Sequence, residues 1–249
     1  FILPLIDKYI DPGQCGGLKK SSVSHYLVKL LDFAHRTLDK NTPHCAVLCT
    51  EDLSKAYNRG SHNLVLEDLW AMHLPGWILA ILYSYLKERS LTIKYRQEKS
   101  ESKQLPGGFS AGTWLGGLLF IVKFNGACMR PPIPRPLTQN KGMQVKFIDD
   151  ASQMASVNLK KSLIPDNQAR PRPLRYCERT EMVLNPTEDI LTQELEKFFL
   201  FTEKNKLVIN RRKCYVMQFT RSKKYDFPPE FTIGGSHVLD VKKEHTILG

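Results

Sequence analysis

The chain has 249 residues and six cysteines, at 15, 45, 49, 128, 177 and 214, yet no Cys-x-x-Cys pair. Three residues lie between Cys45 and Cys49, and no histidine or second cysteine pair completes a zinc set around them. Reduced cysteines in an intracellular protein, nuclear or cytoplasmic alike, are the expectation. No apolar run approaches the roughly 18 residues that a membrane span needs. The opening Phe-Ile-Leu-Pro-Leu-Ile is short and has no basic flank, so it does not read as a secretory signal. With no initiator Met and an abrupt end on Leu248-Gly249, the chain reads as a segment of something longer. Internal repeats and low-complexity tracts are also missing, which excludes solenoids and arrays.

Acidic residues are the scarcer charge. Asp plus Glu number 25 against 36 Lys plus Arg, giving a net charge of +11 and a pI near 9.3. Residues 1–150 carry 19 basic and 13 acidic side chains, and residues 151–249 carry 17 and 12. An excess spread along the chain suits a surface that tracks a polyanion better than a basic tail does. The plain alternative is a soluble protein that is merely basic.

Apolar residues at 23, 27, 30, 31 and 34 are spaced for a helix over 22–38. CAVLCT at 45–50 reads as a buried strand that runs into Glu51 and Asp52. A helix over 62–73 stops before Pro75-Gly76, and Pro75 suits the first turn of a second helix through Lys87. Trp77, Ile78, Ile81, Leu82 and Tyr85 are expected on one face of that helix. Leu91–Tyr95 alternates like a strand, a Gly-rich loop covers 105–112, and an apolar helix follows over about 113–124. Residues 130–142, with four prolines, and 163–186, rich in Pro and Arg, read as irregular. Asn185, Pro186 and Glu188 mark a helix start, with Leu191, Leu195, Phe198 and Phe199 as its apolar face. Residues 214–219 and 231–233 read as strands. Mixed, non-repeating strands and helices argue an α+β fold rather than a doubly wound sheet.

The chemistry concentrates at Phe147-Ile148-Asp149-Asp150. Two short strands, 144–148 and 151–156, flank the acidic pair and make a hairpin. Adjacent aspartates beside an apolar strand oppose each other's ionisation, and a divalent cation would remove that cost. An Asp-Asp turn with no further role is the plain alternative. Asp52 also follows an apolar strand, and a two-metal site needs carboxylates from more than one strand.

DLSKAYN at 52–58, LPGGFSAGTWLGGLLF at 105–120 and FIDD at 147–150 resemble, in that order and at those separations, conserved blocks of non-LTR retrotransposon reverse transcriptases. They correspond to motif A, motif B and the [FY]-x-D-D motif. QCGGLKKSSVSHYL at 14–27 resembles the fingers block, NKLVINRRKCYVMQF at 205–219 resembles motif D, and EHTILG at 244–249 resembles the start of the primer grip.

The resemblance implies a right-hand polymerase palm, an antiparallel sheet backed by helices, with partial fingers and no thumb. Residues 1–44 would be a fingers remnant, and 45–249 a palm with inserted fingers segments, as one truncated domain. It implies two Mg²⁺ ions, with Mn²⁺ able to replace them, held by Asp52, Asp149 and Asp150. The implied partners are an RNA template, a DNA primer and dNTPs.

Leu53, Ala111 and Gly112 would lie along the incoming nucleotide. Tyr57 would close off the 2′ side of the sugar, although a core aromatic is its plain alternative. Lys213 matches the motif D lysine, a proton donor to pyrophosphate. Lys19 and Lys20, in the fingers block, would meet phosphates. For all three lysines a solvated side chain is the rival reading. Tyr57 and the lack of a Gly-Asp-Asp turn argue against an RNA-dependent RNA polymerase.

The sequence also departs from the family. Motif B usually reads Pro-Gln-Gly, and here it is Ser110-Ala111-Gly112. A lost substrate hydrogen bond costs about 0.5–1.5 kcal/mol. The Asn-Asp that often ends this block is Asn125-Gly126. A catalytically dead relic that binds nucleic acid is therefore the second expectation.

Overall fold

A computed structural model of the chain describes residues 1–41, 44–127, 142–158, 180–181, 190–221, 225–226, 230–233 and 237–242. The proline-rich loop 130–142 (save Gly142), the irregular stretch 163–186 (save Thr180–Glu181) and the helix start at Asn185 lie outside the described residues, as do the EHTILG block, Cys128 and Cys177.

The chain opens with a short helix α1 (Leu3–Ile6) and the long helix α2 (Val23–Leu38). Strand β1 (His44–Glu51) follows, then helices α3 (Ala56–Arg59), α4 (His62–Ala71) and α5 (Gly76–Leu86). Four two-residue strands come next: β2 (Ser90–Leu91), β3 (Lys94–Tyr95), β4 (Glu98–Lys99) and β5 (Lys103–Gln104). Helix α6 (Trp114–Asn125) leads to the hairpin β6 (Gly142–Phe147) and β7 (Asp150–Asn158). The remainder is β8 (Thr180–Glu181), α7 (Ile190–Lys204), β9 (Tyr215–Thr220), β10 (Tyr225–Asp226), β11 (Glu230–Ile233) and β12 (His237–Val241).

Six strands form one sheet in the order β11-β12-β9-β1-β7-β6. All its pairs are antiparallel except β12 with β9, which run parallel. The fold is α+β, and helices cover both faces of the sheet. Alternation along β1 explains this. Cys45, Val47 and Cys49 face a large core with α4–α7, whereas Ala46 and Leu48 face a smaller one with α2. A strand buried on both faces reads as a continuous apolar run, which is why CAVLC shows no alternation. Among the described residues no helix is long and apolar enough to cross a membrane.

Helix α6 lies deep in the larger core. Thr113 caps it, its Oγ1 accepting from Gly116 N at 3.0 Å. Leu118, Leu119, Phe120, Ile121, Val122 and Phe124 are all buried along it. At about 1.5–3 kcal/mol for each large side chain removed from water, this helix outweighs any single polar contact in the fold.

Two apolar faces are rotated from the sequence expectation. Helix α5 buries Ile78, Leu82 and Leu86, while Trp77, Ile81 and Tyr85 are exposed. The helix is apolar nearly all round, so its periodicity selects no face. Helix α2 buries Tyr26, Leu30 and Ala34 and exposes Val23, Leu27 and Leu31. The phenol of Tyr26 makes the difference, because its hydroxyl meets Ser152 Oγ at 2.6 Å within the core. The strand expected over Leu91–Tyr95 is broken into two short ladders, β2 with β5 and β3 with β4.

Candidate functional site

Strand β1 ends at Glu51, which pairs with Ala151 of β7. One step further out in that antiparallel register, Asp52 lies opposite Asp150. Phe147 pairs with Asp150, so the β6–β7 connection is a two-residue turn, Ile148-Asp149. Asp52, Asp149 and Asp150 therefore gather at adjoining strand ends, although 97 residues separate 52 from 149 in sequence.

Their charges act on one another. Burial, followed by the negative charges of Asp149 and Asp52, pushes Asp150 up to about 6, while Lys213 pulls it the other way. Asp149 is raised as well, chiefly by burial and further by Asp52, against the pull of Lys213. Lys213 Nζ lies 3.8 Å from Asp52 Oδ1. Its side chain is mostly exposed, so this pair is a weak one.

The segment before β9 fixes Asp52. Asn210 N donates to Asp52 O at 2.8 Å, Ser54 N donates to Val208 O at 2.7 Å, and Asp52 N donates to Cys214 Sγ at 3.4 Å. The side chain of Leu53 is buried in the core, so its backbone is what it can offer a ligand.

The turn that carries Asp149 is strained and clamped. Ile148 has φ 59°, the left-handed region that a β-branched residue rarely occupies. Gln14, buried against it, occupies both backbone groups of Ile148: Oε1 accepts from Ile148 N at 3.0 Å and Nε2 donates to Ile148 O at 3.4 Å. The same Oε1 accepts from Gly16 N at 2.9 Å. A Cβ on Gly16 would stand 2.5 Å from Ile148 N, so only glycine fits there. Next to this clamp, Lys146 is fully buried with Asp11, their charged atoms 2.9 Å apart. Lys146 also donates to Phe124 O at 3.1 Å and Asn125 O at 3.4 Å. Asn125 in turn accepts from Asp11 N at 2.6 Å and donates to Tyr9 O at 2.9 Å.

Tyr57 is half-buried and stacks on Phe120 with centroids 5.0 Å apart. Burial, and secondarily the charge of Asp149, raises its phenol. The loop before α6 is tied to the same region: Phe109 N donates to Tyr57 O and Gly108 N to Gly60 O, both at 2.7 Å. Arg89 donates to Gly108 O at 3.4 Å and also bonds Ser110 Oγ. Ala111 and Gly112 are exposed beyond these anchors. Gly112 has φ 78°, and nothing lies within 4 Å of where its Cβ would be. Within the protein, glycine is therefore required there by conformation rather than by a close approach. Lys19 and Lys20 are exposed on the loop that follows Gly17.

Sequence reasoning assigned no role to Gln14, Arg89 or Lys146, and it marked Asn125 only as part of a departure from the family. Gln14 sits inside the fingers-block stretch, and the Gly-Gly pair two residues on was the available signal of a close backbone approach. Nothing local marks Arg89 or Lys146.

Hard carboxylate oxygens suit Mg²⁺ or Mn²⁺, and Asp149 and Asp150, raised first by burial and further by neighbouring carboxylates, carry a cost that a cation would relieve. Among the described residues no three His, Cys, Asp or Glu side chains form a ready-made metal cage. Mg²⁺ does not need one, since it takes one or two carboxylates together with substrate phosphates and water. The residues present fit the ion.

No protein-family model and no curated protein matches the sequence. Solved structures do match the fold. Apo telomerase from Candida tropicalis truncated from its C-terminal domain is 13% identical with a TM-score of 0.57, over 98% of this chain and 45% of that one. Apo telomerase from the same organism is 12% identical, TM-score 0.57, over 98% and 40%. That telomerase in complex with the TWJ fragment of telomeric RNA is 11% identical, TM-score 0.54, over 90% and 32%. The fold is thus reverse-transcriptase-like, telomerase being a reverse transcriptase, and the chain spans less than half the length of these structures.

Proposed function

We propose that the chain is the fingers-and-palm part of an RNA-directed DNA polymerase of the non-LTR retrotransposon type, adding dNTPs to a primer 3′-hydroxyl on an RNA template. The observation that carries this reading is the meeting of Asp52, from one resembling block, with Asp149 and Asp150, from another, at adjoining strand ends. On this reading residues 1–44 are the fingers remnant and 45–249 the palm.

Asp52 and Asp149 would hold two Mg²⁺ ions, with Asp150 completing the acidic cluster. Bound there, the ions would lower the pKa of the primer hydroxyl and neutralise the leaving pyrophosphate. The other residues act on the nucleotide. The Tyr57 ring, fixed by its stack on Phe120, would exclude a ribose 2′-hydroxyl. The exposed Ala111-Gly112 backbone would lie along the incoming base and sugar, with the backbone of Leu53 near the phosphates. Lys213 would give a proton to pyrophosphate, with Lys19 and Lys20 meeting phosphates from the fingers side.

The test is Mn²⁺ binding followed by calorimetry on the chain, with Asp52→Asn and Asp149→Asn beside it. An amide cannot supply the charge that two cations require, so each substitution should abolish the tighter site. Unaltered Mn²⁺ affinity in Asp149→Asn defeats the reading. A second reading, a catalytically dead relic that binds nucleic acid through its basic surface, is favoured by Ala111 where the family has Gln. It predicts that hybrid binding survives while no variant extends a primer.

A further inference from the structure

The stretch between α5 and the loop before α6 has no role in the site described. All fifteen residues from Ser90 to Gln104 are exposed. They form an arm of two stacked ladders that turns at Arg96-Gln97. At its end Lys94 stands directly opposite Lys99. Like charges facing one another across a ladder are destabilising, and here no buried contact compensates. Among the described residues no ion pair engages Lys94, Arg96, Lys99 or Lys103. The arm's own carboxylates, Glu98 and Glu101, offset half of these charges. Tyr95 is 68% exposed, with the Arg96 guanidinium 5.4 Å from its ring centroid. An exposed aromatic among unpaired cations is the composition of a surface that stacks unpaired bases and follows a phosphate backbone.

The base of the arm is fixed to the candidate site. Leu105 N donates to Arg89 O at 2.7 Å, and the Arg89 guanidinium grips the Gly108–Ser110 backbone and hydroxyl. A strand lying along the arm would run on toward Ala111 and Gly112.

We infer that this arm binds single-stranded nucleic acid, with Tyr95 on one face of its end ladder stacking on a base and Lys94 and Lys99, paired on the other face, meeting phosphates. The inference rests on the polymerase reading only for the direction of the strand. The test is fluorescence anisotropy in EDTA, over a range of KCl, with an unstructured RNA, the matching single-stranded DNA and a blunt RNA–DNA hybrid. Tyr95→Ala should weaken both single strands about fivefold or more and leave the hybrid unchanged, because stacking needs an unpaired base. Lys94→Ala/Lys99→Ala should reduce the slope of log affinity against log salt by about 1.4, two phosphate contacts at about 0.7 each. Single-strand affinity and slope unchanged in both variants would overturn the inference, as would an equal loss on the hybrid. These residues are exposed and lie outside the core, so a folding defect does not confuse the result. Mn²⁺ binding lost or kept in Asp149→Asn reports on the polymerase reading alone, so the two can fail separately.

Discussion

Replacing Lys146 by Met should be among the most damaging single changes in this fold. The ammonium is fully buried; it forms an ion pair with Asp11 Oδ2 at 2.9 Å and donates to Phe124 O at 3.1 Å and Asn125 O at 3.4 Å. Methionine fills the same volume and meets none of them. The carboxylate of Asp11, itself only 9% exposed, then loses its ion pair with the ammonium. Removing one partner of a buried pair typically costs about 3–5 kcal/mol, a large share of a domain stability of about 5–15 kcal/mol. Asp11→Asn in the Lys146→Met background removes the charge that the ammonium had neutralised. It keeps a carbonyl for Gly13 N, which Asp11 Oδ1 now satisfies at 2.9 Å. The double variant should therefore be more stable than Lys146→Met alone, by roughly 1–3 kcal/mol. Urea unfolding should be followed by far-UV circular dichroism, because Trp70, Trp77 and Trp114 are all more than half exposed and report poorly on the core. A Lys146→Met variant within about 1 kcal/mol of wild type, or strict additivity in the cycle, would refute the argument.

Other outcomes follow from the same physics. Glu51 is buried, neither of its oxygens has a hydrogen-bond partner on another described residue, and burial raises its carboxyl well above the ordinary 4.5. The folded state therefore holds a proton that the unfolded state releases, and stability falls as pH rises above 4.5. Glu51→Gln should be the more stable protein at neutral pH. Its advantage should grow by about 1.4 kcal/mol per pH unit above the unfolded pKa and vanish in acid; a pH-independent difference in urea midpoints would refute this. Burial pushes the thiols of Cys45 and Cys214 up to about 12, so at pH 8 neither should react with a disulfide reagent until the protein unfolds. Peptide mapping that finds either one labelled within minutes in the native state contradicts the structure. Little or no primer extension is expected from the chain alone on poly-rA/oligo-dT with Mg²⁺. Fused to a related element's thumb, Ala111→Gln should raise incorporation and Asp149→Asn should abolish it. Efficient extension by the unaltered chain would remove the case for decay.

Much of the frame was legible because it rests on local pattern. The helix over 22–38, the buried strand before Asp52, the Thr113-capped helix and the hairpin around Asp149-Asp150 each carry their own periodicity or turn chemistry. The carboxylates could be grouped from strand ends alone. Faces were harder to read. On α5, apolar residues surround the helix, and only packing decides that Ile78 rather than Trp77 is buried. Over 90–104 the alternation of Leu91, Ile93 and Tyr95 announced a single strand, and nothing in it marked the break into two exposed ladders. Strand β12 went unread, and its parallel pairing with β9 leaves no mark in either segment. Gln14 and Lys146 belong to a third kind. Their partners lie far away in sequence, and a polar residue that is satisfied at long range looks, in one dimension, like any solvated one.

The clamp of Gln14 on Ile148 bridges 134 positions. In an unfolded chain that distance is a loop whose closure must precede any benefit from the contact, and the entropic cost rises only with the logarithm of its length. Contacts of such separation slow folding far more than they alter stability. The turn that holds Asp149 cannot be secured while its hairpin is the only part formed, because a lone two-stranded hairpin is marginal in water and the left-handed Ile148 lacks its support until residues 13–16 arrive. The geometry of the acidic cluster is therefore completed late, by a segment that precedes the hairpin in the chain. Pulse-labelled hydrogen exchange should find the Ile148 amide protected after those of β1 and β7, and in step with Gly16.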